Sequence, residues 1–594
     1  MTHRLPLRLA ILLPMLLLAA CATSSAPSSL SPGFAGHFSS YVVCADHPSA
    51  SQAGAVILDQ GGNAVDAAVA TSFALSVCRP YSCGIGGGGF MIIHLVDDPR
   101  TETPGDAVSV AIDYRERAPA AITPLHFVDL PEDASTRSGQ AVAIPGTVAG
   151  LLLALEEFGT MDRRQVLRPA IELARGGFEV DAHYVEHAQE HIDLARAERA
   201  AGEADLRIHP FIWDRFLRQG DLQVGDVIRL PEQAKALERI ASHGASGFQS
   251  GRVAEAIVRA VESDRLGGVL TLEDLRHYRP RVVEPLRRDV MGRTVIAMPP
   301  PSSGGVTLLQ ILVTFDATIS IRSGRLSPAQ RTHLLIESMK HAFADRAAFL
   351  ADPEFSPVDV DAMLDIEMLR GRGESIDLHR TQPSSHYGMI AQLPEDGGTS
   401  HFSVIDGDGN AVACTETINL VFGSRVPVPE FGFVLNNQMD DFLTRPGVAN
   451  AYGLTQSERN LPAPGKRPLS SMSPTIVLDA EGRVEVIAGA SGGPRIITGT
   501  VQVILEAIDG ASARQAMTMP RIHHQWSPDA VYTEEFVSPG GARFDPAFLD
   551  GLAGAGHEIR ERRDVGNVQL IRRSAGGGWD AAADPRKGGR PAGR

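Results

Sequence analysis

Residues 396–419 read DGGTSHFSVIDGDGNAVACTETIN. Two glycines, Gly397 and Gly398, precede Thr399, and alternating polar and apolar residues follow it. A threonine hydroxyl becomes a strong nucleophile when the residue's own backbone amine is free to act as its base. A flexible glycine pair is a place where a chain can cut itself to free that amine. The stretch therefore predicts a precursor that matures into two pieces, with Gly398–Thr399 as the cleavage site and Thr399 opening the second piece.

The residues behind Thr399 predict a hairpin. Asp406-Gly407-Asp408-Gly409-Asn410 is a strong turn signal between two strand-like runs. With Gly407-Asp408-Gly409 as a three-residue loop, Ile405 opposes Ala411 and Thr399 falls opposite Thr417. Period two then puts Thr399, His401, Thr415, Thr417 and Asn419 on one face. Phe402, Val404, Val412 and Cys414 take the other, predicted as the core-facing side. On this register the Thr417 hydroxyl reaches Thr399 and fixes its rotamer. Asn419 lies further along, placed to grip a substrate carboxylate or amine. A one-residue slip of the loop would break the pairing. Two threonines in an ordinary β-ladder would show the same pattern without any chemistry.

Working outward, residues 61–70 (GGNAVDAAVA) read as a small-residue, closely packed helix. Residues 84–89 (GIGGGG) lead into a strand at 90–96. No Lys-Ser/Thr follows this glycine run and a strand succeeds it, so close backbone packing is the better reading than a phosphate loop. A strand is predicted at 108–114. From residue 145 to about 350 the pattern is mainly helical, with helices at 146–158, 162–175, 181–201, 232–242 and 328–350, and one entered at about Val306. Residues 352–395 read as a long, exposed, irregular connection, tolerant of a cut. Beyond Thr399, strands are predicted at 400–405, 411–417, 474–478 and 484–488, with a helix at 495–508. The Gly/Pro/Arg-rich tail from Asp584 reads as peripheral. Helices and strands mix on both sides of the cut, which predicts one layered α+β unit.

The chain has 594 residues, 43% of them hydrophobic, enough for a sizeable core. Its net charge of −16 argues against a nucleic-acid partner. At the N-terminus, Arg4 and Arg8 precede an apolar stretch too short to span a bilayer, ending in Leu18-Ala19-Ala20-Cys21. This resembles a bacterial lipobox, with residues 1–20 as signal peptide, Cys21 as the lipidated mature N-terminus and 21–33 as a Ser/Pro-rich tether. An ordinary signal peptide is the alternative. Ala22 in place of aspartate favours the outer membrane, giving a cell-envelope protein held by its lipid on the periplasmic side. Four cysteines remain, Cys44, Cys78, Cys83 and Cys414. Cys44–Cys78 and Cys78–Cys83 are both compatible with an oxidising compartment, whereas Cys414 reads as a buried thiol. No zinc spacing appears, and the His523-His524 pair reads as surface or packing. Neither a metal nor a cofactor is expected.

These motifs together resemble the γ-glutamyltranspeptidase family over nearly all of the chain beyond the leader. The resemblance rests on GGNAVDAAVA, GIGGGGF, DYRERAP (113–119), AIPGTVAG (143–150), PPPSSGG (299–305), GGTSHFSVID, TETINLVFGS, NNQMDDF (436–442), GKRPLSSMSPTIV (465–477), GASGGPRIITG (489–499) and the closing GGWDAAADPRKGGRPAG. It implies an N-terminal-nucleophile hydrolase fold, a four-layer αββα sandwich. It implies autocatalytic cleavage into a large subunit (34–398) and a small one (399–594) that form one catalytic heterodimer. Thr399 would then form a γ-glutamyl acyl-enzyme, resolved by water or by an amino acid or peptide acceptor. Gly492 and Gly493 match the oxyanion-hole pair, where losing one donor costs about 3–4 kcal/mol. Arg115 would fork onto the α-carboxylate, helped by Ser470 and Ser471. Asn419, Gln438 and Asp441 would hold the α-amine and its neighbourhood, with Asp441 as countercharge. Residues 446–461, with Tyr452, resemble the lid loop of some bacterial members. Ser400 stands where many members carry threonine or alanine, and Gln438 where some carry glutamate.

The implied activity is γ-glutamyltransferase and glutathione hydrolase. Sister activities on the same fold are a β-lactam (cephalosporin) acylase and a poly-γ-glutamate-processing enzyme. A rival of another class is a non-catalytic envelope lipoprotein, which would stay a single uncut chain.

Overall fold

The computed structural model describes residues 28–98, 100, 106–202, 207–322, 324–387, 398–445, 457–541 and 543–594. Cys21 and Tyr452, named above for lipidation and the lid, lie outside the described residues.

The hairpin forms as its turn residues dictate. Ser400–Ile405 pairs antiparallel with Ala411–Thr417, Ile405 opposite Ala411 and Ser400 opposite Glu416, which is the predicted register. Asp406 closes the turn by accepting from the backbone N–H groups of Asp408 and Asn410, at 3.0 and 2.9 Å. The hairpin lies at the centre of an eight-stranded sheet. Val42–Ala45 and Gly88–Leu95 flank it on its two sides, followed by Val108–Asp113 and Arg281–Val283 beyond the latter. A seven-stranded sheet runs Ala35–Phe38, Trp579–Ala583, Asn567–Arg573, Val484–Ser491, Thr475–Leu478, Arg293–Ala297 and Leu286–Val290.

Alternation along the strands sorts their side chains into two cores. Val43, Met91, Ile93, Phe402, Val404, Val412 and Cys414 pack against helices Pro48–Asp59, Ala64–Cys78 and Thr147–Phe158. Val42, Phe90, Ile92, Ile405, Ala411 and Ala413 point the other way, into the second sheet. Helices Ser303–Ser320, Pro328–Phe349 and Arg495–Ile508 contribute to that second core. The order is helix, sheet, sheet, helix, the α+β sandwich of four layers. Helix Ser303–Ser320 is long and apolar enough to cross a membrane, but most of it is buried within the fold.

The second sheet corrects one expectation. Both faces of the hairpin are buried, because sandwiching removes the solvent side that a lone antiparallel sheet keeps. His401 is fully buried, and a Cβ added at Gly489 in the facing sheet would come within 2.3 Å of its ring.

Most predicted helices appear within a residue or two of their expected bounds, as Thr147–Phe158, Arg163–Gly176, Ala182–Ala201, Pro231–His243 and Pro328–Phe349. Four expectations fail. The mainly helical region contains the strands Leu286–Val290 and Arg293–Ala297, which form one edge of the second sheet. The connection after residue 352 holds a ten-residue helix, Ile366–Ser375, and Asp352 at its start is fully buried. The tether is partly docked, since Ser29–Leu30 pairs with Ala592–Gly593. The C-terminal tail is no periphery: Ala592–Gly593 also pairs with Val42–Val43, and Asp584, Arg586 and Lys587 are buried in ion pairs.

No disulfide forms among the described cysteines, all four being buried thiols. Cys44 faces the inter-sheet core, where its thiol meets Gln569, while Cys78 and Cys83 lie in the helix–sheet core on the other side of the sheet. The glycine run packs closely, as expected. A Cβ on Gly87 would come within 2.0 Å of the Thr417 carbonyl oxygen.

Candidate active site

Thr399 stands at the head of the central strand Ser400–Ile405 and is 4% exposed. Its hydroxyl donates to the Gly398 carbonyl at 2.6 Å and lies 3.2 Å from the Thr417 hydroxyl. Thr417, at the end of the neighbouring strand, donates to the same Gly398 carbonyl at 2.9 Å. The Thr417 oxygen also accepts from the Asn419 backbone N–H at 2.8 Å. The carbonyl of the peptide bond ahead of Thr399 thus accepts from two hydroxyls, one of them that of Thr399 itself. Gly398 is needed there, since a Cβ would come within 2.7 Å of the Tyr81 carbonyl oxygen.

Gly492 and Gly493 follow directly on strand Val484–Ser491 and precede helix Arg495–Ile508. Their φ values of +126° and +55° lie where side chains are strained. Their carbonyls accept from Arg495 and Ile496, at 3.1 Å each, which ties the pair to the first turn of the helix. Two glycine N–H groups at a helix N-terminus form a site for developing negative charge.

A buried charged cluster is built from segments far apart in sequence. Arg115, just beyond strand Val108–Asp113, is fully buried. Its guanidinium bonds Asp441 at 2.5 Å, the Pro468 and Leu469 carbonyls at 3.1 and 3.2 Å, and Glu116 at 3.4 Å. Asp441 ends the short turn Gln438–Asp441 and also accepts from the Gln438 amide at 2.7 Å. The Gln438 amide oxygen is buried and accepts no hydrogen bond among the described residues. Asn419, at φ +77°, donates to the Asn437 carbonyl at 3.1 Å. Ser470 and Ser471 follow Leu469, and the Ser471 hydroxyl accepts from Arg346 at 3.3 Å. The structure therefore brings Arg115, Gln438 and Asp441 into one bonded cluster, with Ser470 and Ser471 on the chain that bonds Arg115. Asn419 links to it through Asn437 and to Thr399 through Thr417. Glu116 carries a carboxyl that burial raises to a pKa of about 7, with Arg115 opposing the rise.

Three contributors escaped the sequence reading. Arg346, in the last turn of Pro328–Phe349, donates to Ser303 at 2.8 Å as well as to Ser471. Burial lowers its pKa to about 10, with Asp441 pulling the other way. The Ser82 hydroxyl accepts from the Thr399 N–H at 3.0 Å and donates to the Thr399 carbonyl at 2.7 Å. The Lys587 ammonium donates to that carbonyl too. None of these carries a local signal, because each reaches the site only through tertiary packing.

His523 and His524 are buried and bonded to Thr498 and Asp529, the packing role expected of them. His333, Glu337 and His557 bring three metal-type ligand atoms within 4.8 Å of one another. The Lys340 ammonium, 3.4 Å from Glu337, already supplies the cation there. The His333 nitrogens are engaged by His557 and the Asp377 carbonyl, at 2.7 and 2.8 Å.

A four-layer αββα sandwich with a threonine heading a central strand defines an N-terminal-nucleophile hydrolase. Comparison with known proteins narrows the class. The family pattern described as Gamma-glutamyltranspeptidase matches residues 50–594. The glutathione hydrolase proenzyme of Escherichia coli is 38% identical over 546 residues, 91% of this chain and 89% of that protein. The glutathione hydrolase proenzyme of Pseudomonas aeruginosa is 36% identical over 564 residues, 94% of this chain and 95% of that one. Among solved structures, a cephalosporin acylase from Bacillus halodurans superposes with a TM-score of 0.78 at 27% identity, covering 96% of this chain and 98% of the other. The chain belongs to the γ-glutamyltranspeptidase family.

Proposed function

We propose that this enzyme is a γ-glutamyltransferase and glutathione hydrolase that matures by cutting its own Gly398–Thr399 bond. The carrying observation is the buried Arg115–Asp441 pair at 2.5 Å, beside the unfilled acceptor of Gln438. An α-amino acid end presents a carboxylate and an ammonium side by side. Arg115 with Ser470 and Ser471 suits the first; Asp441 with Gln438 and Asn419 suits the second. A glutaryl group lacks the ammonium and so gains nothing from the Asp441 carboxylate, which Arg115 and Gln438 already bond. The glutathione hydrolases among the relatives support glutathione as donor.

In maturation the Thr399 oxygen attacks the Gly398 carbonyl carbon, which Thr417 polarises. The proton lost by the Thr399 hydroxyl passes to the nitrogen as the carbon–nitrogen bond breaks, the nitrogen leaves as a free α-amine, and water hydrolyses the resulting ester. In turnover that amine, directly or through water, takes the Thr399 hydroxyl proton as the oxygen attacks the γ-glutamyl carbonyl. Gly492 and Gly493 N–H groups stabilise the oxyanion. The leaving amine departs with the proton, and water or an acceptor amine releases the acyl group. The heterodimer of residues 34–398 and 399–594 is the working unit. The lipobox-like Leu18–Cys21 supports a lipid anchor at Cys21 and a place on the periplasmic side of the outer membrane.

The test is intact-mass analysis with paired substrates. Two chains should appear, the smaller beginning at Thr399, and a γ-glutamyl anilide should be cleaved much faster than a glutaryl amide. Thr399→Ala should stay full length and inactive. A fully cut and active alanine variant would refute the assignment, and a preference for the glutaryl amide would select the acylase reading.

A further inference from the structure

Lys587 follows strand Trp579–Ala583 in a tail segment that the sheet pairing buries, and it is 2% exposed. Its ammonium donates to the Thr399 carbonyl, to Ser491 at 3.1 Å and to Ser82 at 3.3 Å, and pairs with Asp46 at 2.7 Å. We propose that Lys587 is a positioning residue for the nucleophile: it holds the Thr399 carbonyl and biases the α-amine released by maturation toward its neutral, proton-accepting form. This rests on the reading of Thr399 as an N-terminal nucleophile.

Geometry sets the sign. Ser82 Oγ meets the Thr399 nitrogen at 3.0 Å and the Lys587 ammonium at 3.3 Å, which keeps the two nitrogens within about 6.3 Å of each other. A positive charge that close disfavours a second one, so the amine gives up its proton more readily. Asp46 answers the lysine, but it bonds neither Thr399 nor Ser82. Its other oxygen is held by Gln569 at 2.8 Å. The positive end of the Lys587–Asp46 pair is therefore the end that touches the nucleophile.

The other titratable groups around Thr399 do not supply this charge. On the same strand, His401 stays neutral, since burial and Lys587 hold its pKa at about 3. On the preceding turn, burial pushes the Cys83 thiol up to about 12 and raises the Tyr81 phenol, leaving both neutral. Arg79, below that turn, is paired with Asp181. On the neighbouring strand, burial raises Glu416 to about 7, and its two oxygens are tied to Ser72 and Tyr114 on the far side.

A unit charge about 6 Å away, at an effective dielectric of about 20, shifts a proton equilibrium by roughly two pH units. With Asp46 returning part of that, the net depression is about one unit. An ordinary α-amine titrates at about 7.7–8.0, so the Thr399 amine should titrate near 7. The amine must be neutral to accept a proton, so the acidic limb of kcat/KM should lie there.

The direct test uses the matured wild-type enzyme. Its α-amines are carbamylated with cyanate across pH, and the peptide beginning at Thr399 is quantified by mass spectrometry. A reactivity midpoint about one unit below 7.7 is expected; a midpoint at or above 7.7 would overturn the proposal. Absence of any amine at Thr399 would instead sink the maturation reading on which it rests. In variants, Lys587→Met should move the acidic limb up by about one pH unit, Lys587→Arg should return most of it, and Asp46→Asn should move it down. A matured Lys587→Met enzyme with an unmoved limb also overturns the proposal; burial of Thr399 lowers the wild-type midpoint as well, so where that variant fails to mature the Asp46→Asn enzyme decides, an unmoved limb there overturning the proposal too.

Discussion

Thr417→Val offers the sharpest probe of the self-cleavage proposed at Gly398–Thr399. The substitution keeps a β-branched side chain of similar size, so the strand Ala411–Thr417 retains its preference for extended backbone. It removes one hydroxyl with three contacts: the Gly398 carbonyl at 2.9 Å, the Thr399 hydroxyl at 3.2 Å and the Asn419 N–H at 2.8 Å. The first contact bears on the rate. As Thr399 attacks, negative charge grows on the Gly398 oxygen, and losing one donor to such an oxyanion costs about 3–4 kcal/mol. Maturation should slow by roughly 10²–10³-fold. The third contact bears on stability. A buried Asn419 N–H without an acceptor costs about 1–3 kcal/mol of folding free energy. The assay follows freshly made precursor by intact mass over time, with thermal unfolding measured alongside on uncut protein. Thr417→Ser keeps the donor and should mature within about tenfold of wild type. A valine variant that matures at the wild-type rate would refute the role given to this hydroxyl. Slow maturation of the serine variant to the same degree would show that packing, not hydrogen bonding, governs the cut.

Other perturbations reach the pocket, the core charge and the sheet contact. Asp441→Asn should lower kcat/KM for a γ-glutamyl anilide by about 10–150-fold, the worth of a charge-assisted hydrogen bond of about 1.5–3 kcal/mol. Turnover of a glutaryl amide should fall less, and an equal fall would mean that Asp441 does not read the α-ammonium. Glu416, raised by burial to a pKa of about 7, takes up a proton on folding at mildly acidic pH. Its stabilising contribution is complete below the unfolded value of about 4.3 and disappears as pH rises through 7. Glu416→Gln should therefore gain stability relative to wild type between pH 5 and 8, on the order of 3 kcal/mol; a pH-independent difference in thermal midpoint would contradict this. Gly489→Ala drives a methyl against the His401 ring, to within 2.3 Å of it. The cost should be about 1–3 kcal/mol by thermal unfolding, and an unchanged midpoint would contradict the close approach of the two sheets.

The hairpin behind Thr399 was legible in sequence because its determinants are local. Gly407-Asp408-Gly409 sets the turn, period two sets the faces, and the Thr399–Thr417 pairing follows from both. Helices with sequence-adjacent caps, such as the one stopped by Gly177, were legible for the same reason. The edge strand Leu286–Val290 and its neighbour Arg293–Ala297 were not, because the first is polar on the surface and an edge strand takes its identity from a neighbour rather than from its own pattern. The tail was misread on the same principle. Glycine, proline and arginine signal an exposed coil when nothing distant answers them. Here Asp584 is met by Arg521 and Arg586, Arg586 by Glu534, and Lys587 by Asp46. Burying so many charges is unfavourable unless each is paired and hydrogen-bonded, so these pairs fix where the last strand lies. That strand, Ala592–Gly593, lies beside Val42–Val43, one strand away from the one headed by Thr399. The charges that seat the chain's end thus also bring an ammonium to the Thr399 carbonyl. Closing the sheet and completing the site are one packing event, and for that reason neither shows in the tail's composition.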